Sequence, residues 1–229
     1  MIKAPRAGEA KTRLVPALSA EDAASLAACF ARDALAHARR VASEVLVAYT
    51  PADARPALAE LFTGPIIWQE QEGADLGARL EAIAAHAARL GYGPLLIMGT
   101  DSPTLPVSFI CMARDALAAG DADIALGPTE DGGYYLVGLR HAVPGLFQNI
   151  DWSTSRAYRQ TASNAARLNL RLLSLPPWYD VDTPQDLARL QHEIWTNKQV
   201  QELATATHHW LLQKQGLEAG EKQGLEAGD

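Results

Sequence analysis

Cysteine is nearly absent from this chain. Its two copies, Cys29 and Cys111, lie in separate Ala-rich helical stretches and read as small buried hydrophobes. That excludes a disulfide framework and a cysteine-built metal centre. No apolar run reaches the length needed to span a bilayer, and no secretory leader is visible, so a cytoplasmic protein is expected. An excess of positive charge is also missing. The formal net charge of -7 excludes a general nucleic-acid or membrane-surface binder. Histidines are scattered singly, and the adjacent pair His208-His209 cannot share one helix face, so a histidine metal pair is not expected. The Gly-Lys-Ser/Thr core of a P-loop does not occur. What remains is an ordinary globular composition, 48% hydrophobic and 21% charged over 229 residues, ample for a full core.

The stretch with most information is Leu95-Leu-Ile-Met98-Gly99-Thr100-Asp101-Ser102-Pro103. A continuous apolar run predicts a strand buried on both faces, as in a parallel sheet under helices. Pro103 cannot join a ladder, so Asp101 falls just past the carboxyl end of that strand. In open α/β sheets this edge receives ligands. A carboxylate there suits Mg²⁺, which takes oxygen ligands from few carboxylates and from substrate phosphates. The alternative duty, capping the helix that starts near Pro106, would need a position directly before that helix.

Other charged residues cluster in loops. Lys3, Arg6, Lys11 and Arg13 crowd the first turn-rich segment, whose Pro5 and Gly8 predict a loop able to wrap a phosphate. A solvated charged terminus is the competing reading. Asp75 is well placed as a helix N-cap or as a ligand group. Asp131-Gly132-Gly133 precedes the strand-like Tyr134-Tyr-Leu-Val, and a hairpin turn is the plainer account of it. In Asp180-Val-Asp182-Thr183-Pro184-Gln-Asp186, Thr183, Pro184 and Asp186 make a strong helix start. Asp180 and Asp182 are not needed for the cap and are free to face a ligand. Ser153 is expected to cap a helix reaching about Leu168.

Strands alternate with helices along most of the chain, which predicts an α/β fold with a mostly parallel sheet. The first strand is expected to be truncated. Only Met1 and Ile2 precede Lys3, whereas strands usually need about 5–6 residues. From Lys214 an eight-residue unit rich in Gly and Glu occurs twice, predicting a flexible tail. The expected division is a main domain over 1–196 and a helical extension with repeat tail over 197–229.

Six motifs follow one another: K-A-P-x-x-G-x-x-K-T-R-L, G-A-D-L-G-x-R, G-T-D-S-P-T-L, D-G-G-Y-Y-L-V-G-L, D-W-S-T and D-V-D-T-P-x-D-L. Together, over about residues 3–195, they resemble a bacterial glycosyltransferase family of the nucleotide-diphospho-sugar transferase superfamily, some of whose members are linked to arsenosugar biosynthesis. The resemblance implies a GT-A Rossmann-like fold with helices on both sheet faces, a nucleotide-sugar donor, a small-molecule acceptor, and Mg²⁺ or Mn²⁺. Carried over by position, Asp101 and Asp182 would be the metal carboxylates. Lys11 and Arg13 would contact the nucleotide phosphates, and Asp131 would lie near the acceptor or donor sugar. Lys3, Asp75, Gly132 and Gly133 are further expected nucleotide- or phosphate-binding residues, and in glycosyl transfer Asp131 is the expected catalytic base. No second acid adjoins Asp101, so the Asp-x-Asp pattern is only partly met. The opening A-K-T-R-L-x-P also resembles 2-phospholactate guanylyltransferases, which implies nucleotidyl transfer from an NTP as the alternative. A non-catalytic nucleotide-binding domain is the third reading.

Overall fold

The computed structural model describes residues 1–226, with side chains through residue 215. Strands β1 (Ile2–Lys3), β2 (Leu46–Thr50) and β3 (Ile67–Glu70) form one parallel sheet in the order β1-β2-β3. Strands β4 (Leu95–Met98), β5 (Ile124–Pro128), β6 (Tyr134–Leu139) and β7 (Leu172–Ser174) form a second sheet in the order β4-β6-β5-β7. In it β6 runs against both neighbours, while β5 and β7 are parallel. The expected α/β architecture with a mixed, mostly parallel arrangement is therefore observed.

Helices α1 (Ala20–Val41), α2 (Arg55–Leu61), α3 (Leu76–Arg89), α4 (Val107–Ala119), α5 (Ala157–Arg167) and α6 (Pro184–Thr196) alternate with the strands. Two more, α7 (Lys198–Leu203) and α8 (Thr205–Glu226), close the described chain. The continuous apolar strands explain the layering, because β5 and β6 bury Ile124, Leu126, Leu136 and Leu139 completely or almost so. Ser19 caps α1 by accepting from the Asp22 N–H, as its position predicted. Thr183 and Asp186 form a reciprocal capping box on α6, with Pro184 in the first turn.

Two expectations change. Ser153 does not cap α5. It has a left-handed φ of 61°, and the helix begins only at Ala157. The helix after Thr183 ends at Thr196, near the expected division. Asn197 is extended, and its side chain accepts from the Gln199 N–H to start α7. The repeat expected to be a flexible tail has a helical backbone through Glu226, and its last three residues lie outside the described ones.

Helix α8 is tied to α1 by one buried carboxylate. Asp33 accepts from the backbone N–H groups of Ala206 and Thr207 at 2.8 and 3.0 Å, and from the Thr207 hydroxyl at 2.7 Å. Those N–H groups belong to the first turn of α8 and have no intrahelical acceptor. Trp210 and Leu211 then bury against α1-side residues, and the Trp210 indole donates to Ser25 Oγ at 3.0 Å. Removing the carboxylate strands buried donors, which costs about 1–3 kcal/mol each. Asp33→Ala is expected to lower the melting temperature by several degrees, at roughly 2–4 °C per kcal/mol for a chain of this size. A melting curve superimposed on that of the parent chain would show that the contact is dispensable.

Candidate functional site

Asp101 stands three residues beyond the end of β4, as its sequence position implied. The hydrogen bond from Gly99 N–H to Tyr135 O carries the β4 edge alongside the start of β6. The C-terminal ends of β4 and β5 and the start of β6 therefore share one edge of the sheet.

Neighbouring strands do not bring Asp182 to Asp101, since β4 and β7 occupy opposite edges of their sheet. After β7 the chain turns back across that edge. Trp178 N–H donates to Pro128 O, Glu130 N–H to Trp178 O, and Val181 N–H to Asp101 O at 2.9 Å. The last of these bonds places Asp180 and Asp182 beside Asp101. Between them Val181 is fully buried, so in this extended segment the two acids flank an anchored side chain.

The convergence is completed by Lys11. Its ammonium lies 2.6 Å from Asp101 Oδ1 and 2.9 Å from Asp182 Oδ1. The Lys11 side chain is only 6% exposed, while those of Asp101 and Asp182 are 47% and 39% exposed. Lys11 has a left-handed backbone, φ 48° and ψ 40°, which is unfavourable for a residue with a Cβ. That conformation turns its stem inward ahead of the 3-10 turn Thr12–Leu14. Burial disfavours the ammonium charge, but the Asp101 and Asp182 carboxylates outweigh it and hold the Lys11 pKa above its usual value.

Asp180 completes an acidic trio. Its Oδ1 accepts from Ser102 Oγ at 2.5 Å. Burial, and then the charges of Asp101 and Asp182, push its pKa up to about 7 against the Ser102 hydrogen bond and Lys11. Sequence reading left Asp180 free to face a ligand without giving it a role. The Asp-x-Asp alternation, which puts both acids on one side of an extended segment, was the available signal. Ser102 carried no such signal.

The segment bearing these acids is firmly seated. The buried Tyr179 donates to Glu193 Oε2 at 2.7 Å, and the Arg189 guanidinium lies 3.7 Å over its ring. Asp186 Oδ2 accepts from the N–H groups of Asp182 and Thr183, tying the start of α6 to the site.

The other sequence candidates have local duties. Asp75 caps α3 by accepting from Ala78 N–H at 2.8 Å. Lys3 is exposed and donates to Glu9 O at 3.1 Å. Arg13 is exposed on the 3-10 turn after Lys11. Asp131 Oδ1 accepts from Thr129 Oγ1 at 2.5 Å and from Gly133 N–H at 3.0 Å, inside the β5–β6 hairpin. Gly132 has a φ of 93°, and a Cβ there would meet Ser155 O at 2.3 Å, so close packing accounts for it. A Cβ at Gly133 would lie 3.0 Å from Thr129 Oγ1, again within the turn.

Asp101 and Asp182 are hard oxygen donors aimed at one cationic centre, which suits Mg²⁺ or Mn²⁺ in type. That centre is held by Nζ of Lys11 at ammonium distances. A divalent ion with ligands at about 2.0–2.1 Å would require the ammonium to withdraw and the carboxylates to close in. Among the described residues, no group of three or more His, Cys, Asp or Glu side chains already has metal-binding geometry.

Residues 33–154 match the family described as "Uncharacterized protein conserved in bacteria (DUF2064)". Asp101 and Asp131 fall within the match, whereas Lys11, Asp180 and Asp182 lie outside it. A solved structure from Desulfovibrio desulfuricans G20, provisionally described as a nucleotide-diphospho-sugar transferase, is similar over 94% of this chain and 93% of its own. The two are 31% identical, with a TM-score of 0.86. No curated protein matches the chain. No helix among the described residues is long and apolar enough to cross a membrane.

Two outcomes follow from the charge arrangement. Lys11→Met removes the competing ammonium, so Mn²⁺ is expected to bind about tenfold more tightly. A unit charge at 4 Å is worth roughly 1–4 kcal/mol between water and a protein surface. Titration calorimetry with Mn²⁺ alone tests this, and unchanged affinity would mean that Lys11 does not compete for the site. Asp180, whose pKa rises from 3.8 unfolded to about 7 folded, keeps a proton that the unfolded chain releases between those values. Stability therefore falls as pH rises across that window. Asp180→Asn should flatten this slope in urea unfolding measured at pH values across the window.

Proposed function

The chain belongs to the DUF2064 family, and from that premise and the acids gathered at the β4 edge we propose that it is a metal-dependent glycosyltransferase using a nucleotide-diphospho-sugar donor. The supporting observation is the meeting of Asp101 and Asp182 on one cationic centre at the carboxyl end of β4. Ligands of open α/β sheets bind at this edge. The similarity to the Desulfovibrio structure, described as a transferase of this class, supports the same reading.

In this reading Asp101 and Asp182 would hold the divalent cation, which would supply positive charge beside a diphosphate leaving group. Lys11 would be free to direct its ammonium to phosphate oxygens. Arg13, exposed nearby in the same loop, adds a second positive charge, and Lys3 lies at the loop's start. The acceptor hydroxyl needs a base. Asp131 is exposed at the same sheet edge and is the carboxylate we assign to take the proton; its hydrogen bonds to Thr129 and Gly133 engage Oδ1.

Nucleotidyl transfer is the second reading, suggested by the opening Ala10-Lys11-Thr12-Arg13-Leu14 that brings Lys11 to the site. An ammonium 2.6 Å from a metal-type carboxylate equally suits an NTP whose α-phosphate is attacked. Product analysis separates the two, because the first releases a nucleoside diphosphate and the second releases pyrophosphate.

Thermal-shift titration of nucleoside-diphosphate sugars and NTPs, with and without Mn²⁺, tests the proposal. A ligand at about 100 times its Kd stabilises by about 2.7 kcal/mol. At roughly 2–4 °C per kcal/mol this is a rise of several degrees. Asp101→Asn is expected to abolish the metal-dependent part of that rise, and Asp182→Asn to reduce it less completely. If Asp101→Asn keeps the parent's donor shift and metal dependence, the assignment fails.

A further inference from the structure

The function proposed above gives one centre to a divalent cation, and Lys11 already stands on it. Its Nζ lies 2.6 Å from Asp101 Oδ1 and 2.9 Å from Asp182 Oδ1. A cation held by those two oxygens at about 2.0–2.1 Å needs the same space, so cation and ammonium exclude each other. The lysine is enclosed, and its Nζ lies 5.6 Å from the centre of the buried Phe30 ring. Among the described residues no further acceptor meets Nζ.

The two carboxylates, not the backbone, hold Lys11 inward, because its φ of 48° is unfavourable for a residue with a Cβ. The acids themselves are fixed. Asp101 O accepts from Val181 N–H, and Asp182 N–H donates to Asp186 Oδ2. Either ligand alone would therefore leave a charge without its partner. A cation alone would strand the Lys11 ammonium, and a desolvated charge without a counter-ion is costly. A diphosphate alone would draw Lys11 off Asp101 and Asp182 and leave them beside a fresh anion, like charges at short range. With both ligands present, the carboxylates face the cation, Lys11 faces the phosphate, and every charge has a partner.

We propose that Lys11 couples the two ligands. It yields Asp101 and Asp182 to a divalent cation at little cost only where a diphosphate takes its ammonium, so each ligand raises the chain's affinity for the other. The coupling is reciprocal, because one free energy is read from either ligand. It rests on the assignment of Asp101 and Asp182 to the cation, and adds to that assignment a rule of entry. A lysine that only binds phosphate would favour a diphosphate equally with and without the cation. Lys11 differs. Without the cation it trades one anionic partner for another and gains little, whereas with the cation in place it passes from no partner to one.

Titration calorimetry with inorganic pyrophosphate compares the parent chain with Lys11→Met, each without metal and at saturating Mg²⁺. The association of Mg²⁺ with pyrophosphate in solution is common to both chains. At saturating Mg²⁺ the parent is expected to bind pyrophosphate about tenfold or more tightly than Lys11→Met, within the usual range for coupled sites. Without metal the two chains should differ little. A lysine effect of equal size in both conditions, or none in either, overturns the proposal. Asp101→Asn separates the coupling from the reading beneath it. If its pyrophosphate affinity still rises with Mg²⁺ as the parent's does, the cation assignment fails and the coupling with it. If it loses the Mg²⁺ dependence while Lys11→Met costs the same with and without metal, the assignment stands and the coupling alone fails. A further readout needs no variant. Acetylation of Lys11 in the parent chain, followed by mass spectrometry, should be slow in the chain alone, faster at saturating Mg²⁺, and slow again once pyrophosphate is added. Equal rates in all three states would overturn the proposal.

Discussion

One ammonium between two carboxylates governs this structure. Asp101 follows the edge strand β4, Asp182 leads into α6, and Lys11 lies in the first loop, yet the Lys11 nitrogen is within hydrogen-bond distance of both carboxylates. Without a positive centre, carboxylates this close would repel one another and raise each other's proton affinity. Asp180 feels burial first and that repulsion second, and both raise its pKa. The cluster is organised for positive charge, and in the chain alone Lys11 supplies it. The interaction also does long-range structural work, since it fastens the N-terminal loop to the segment that crosses back over the sheet edge.

Much of this was legible in the residues. The unbroken apolar run Leu95–Met98 announced a strand, though β4 is a half-buried edge strand paired antiparallel to β6 rather than one buried on both faces of a parallel sheet, and Gly99 and Pro103 announced where it had to stop. Thr183, Pro184 and Asp186 announced a capped helix, because Thr183 and Asp186 satisfy backbone N–H groups that the first turn leaves open and Pro184 has none to leave open. These signals are local, so sequence spacing carries them. The route by which Asp182 reaches Asp101 was not local. It depends on strand order, with β7 at the far edge, and on one backbone hydrogen bond from Val181 to Asp101. No periodicity encodes that bond. The inward turn of Lys11 was hidden for the same reason, since a left-handed lysine is a cost that only its distant partners justify.

The glycines and acids of the hairpin teach a related lesson. Asp131, Gly132 and Gly133 carry the composition of a ligand loop, but in the structure each first serves the turn itself. Asp75 likewise serves α3. Residues suited to phosphates are also residues suited to exposed backbone N–H groups, because both tasks bring a polar group to the start of a strand or helix. Sequence cannot divide the two, whereas a hydrogen-bond partner can.

The contact between Gly132 and Ser155 has a bearing on how anything enters this site. The hairpin tip rests directly on the backbone of residue 155, and Tyr158 N–H donates to Gly132 O at 3.0 Å. This side of the acidic edge is a fixed wall, braced from behind by α5. The opposite side is the loop from Pro5 to Leu18, with many of its residues exposed and Lys11 as its inward tether. If the function proposed above holds, an incoming polyphosphate would offer that tether a rival partner. Entry would then trade one ion pair for another at the loop, while the hairpin wall braced by α5 keeps its shape.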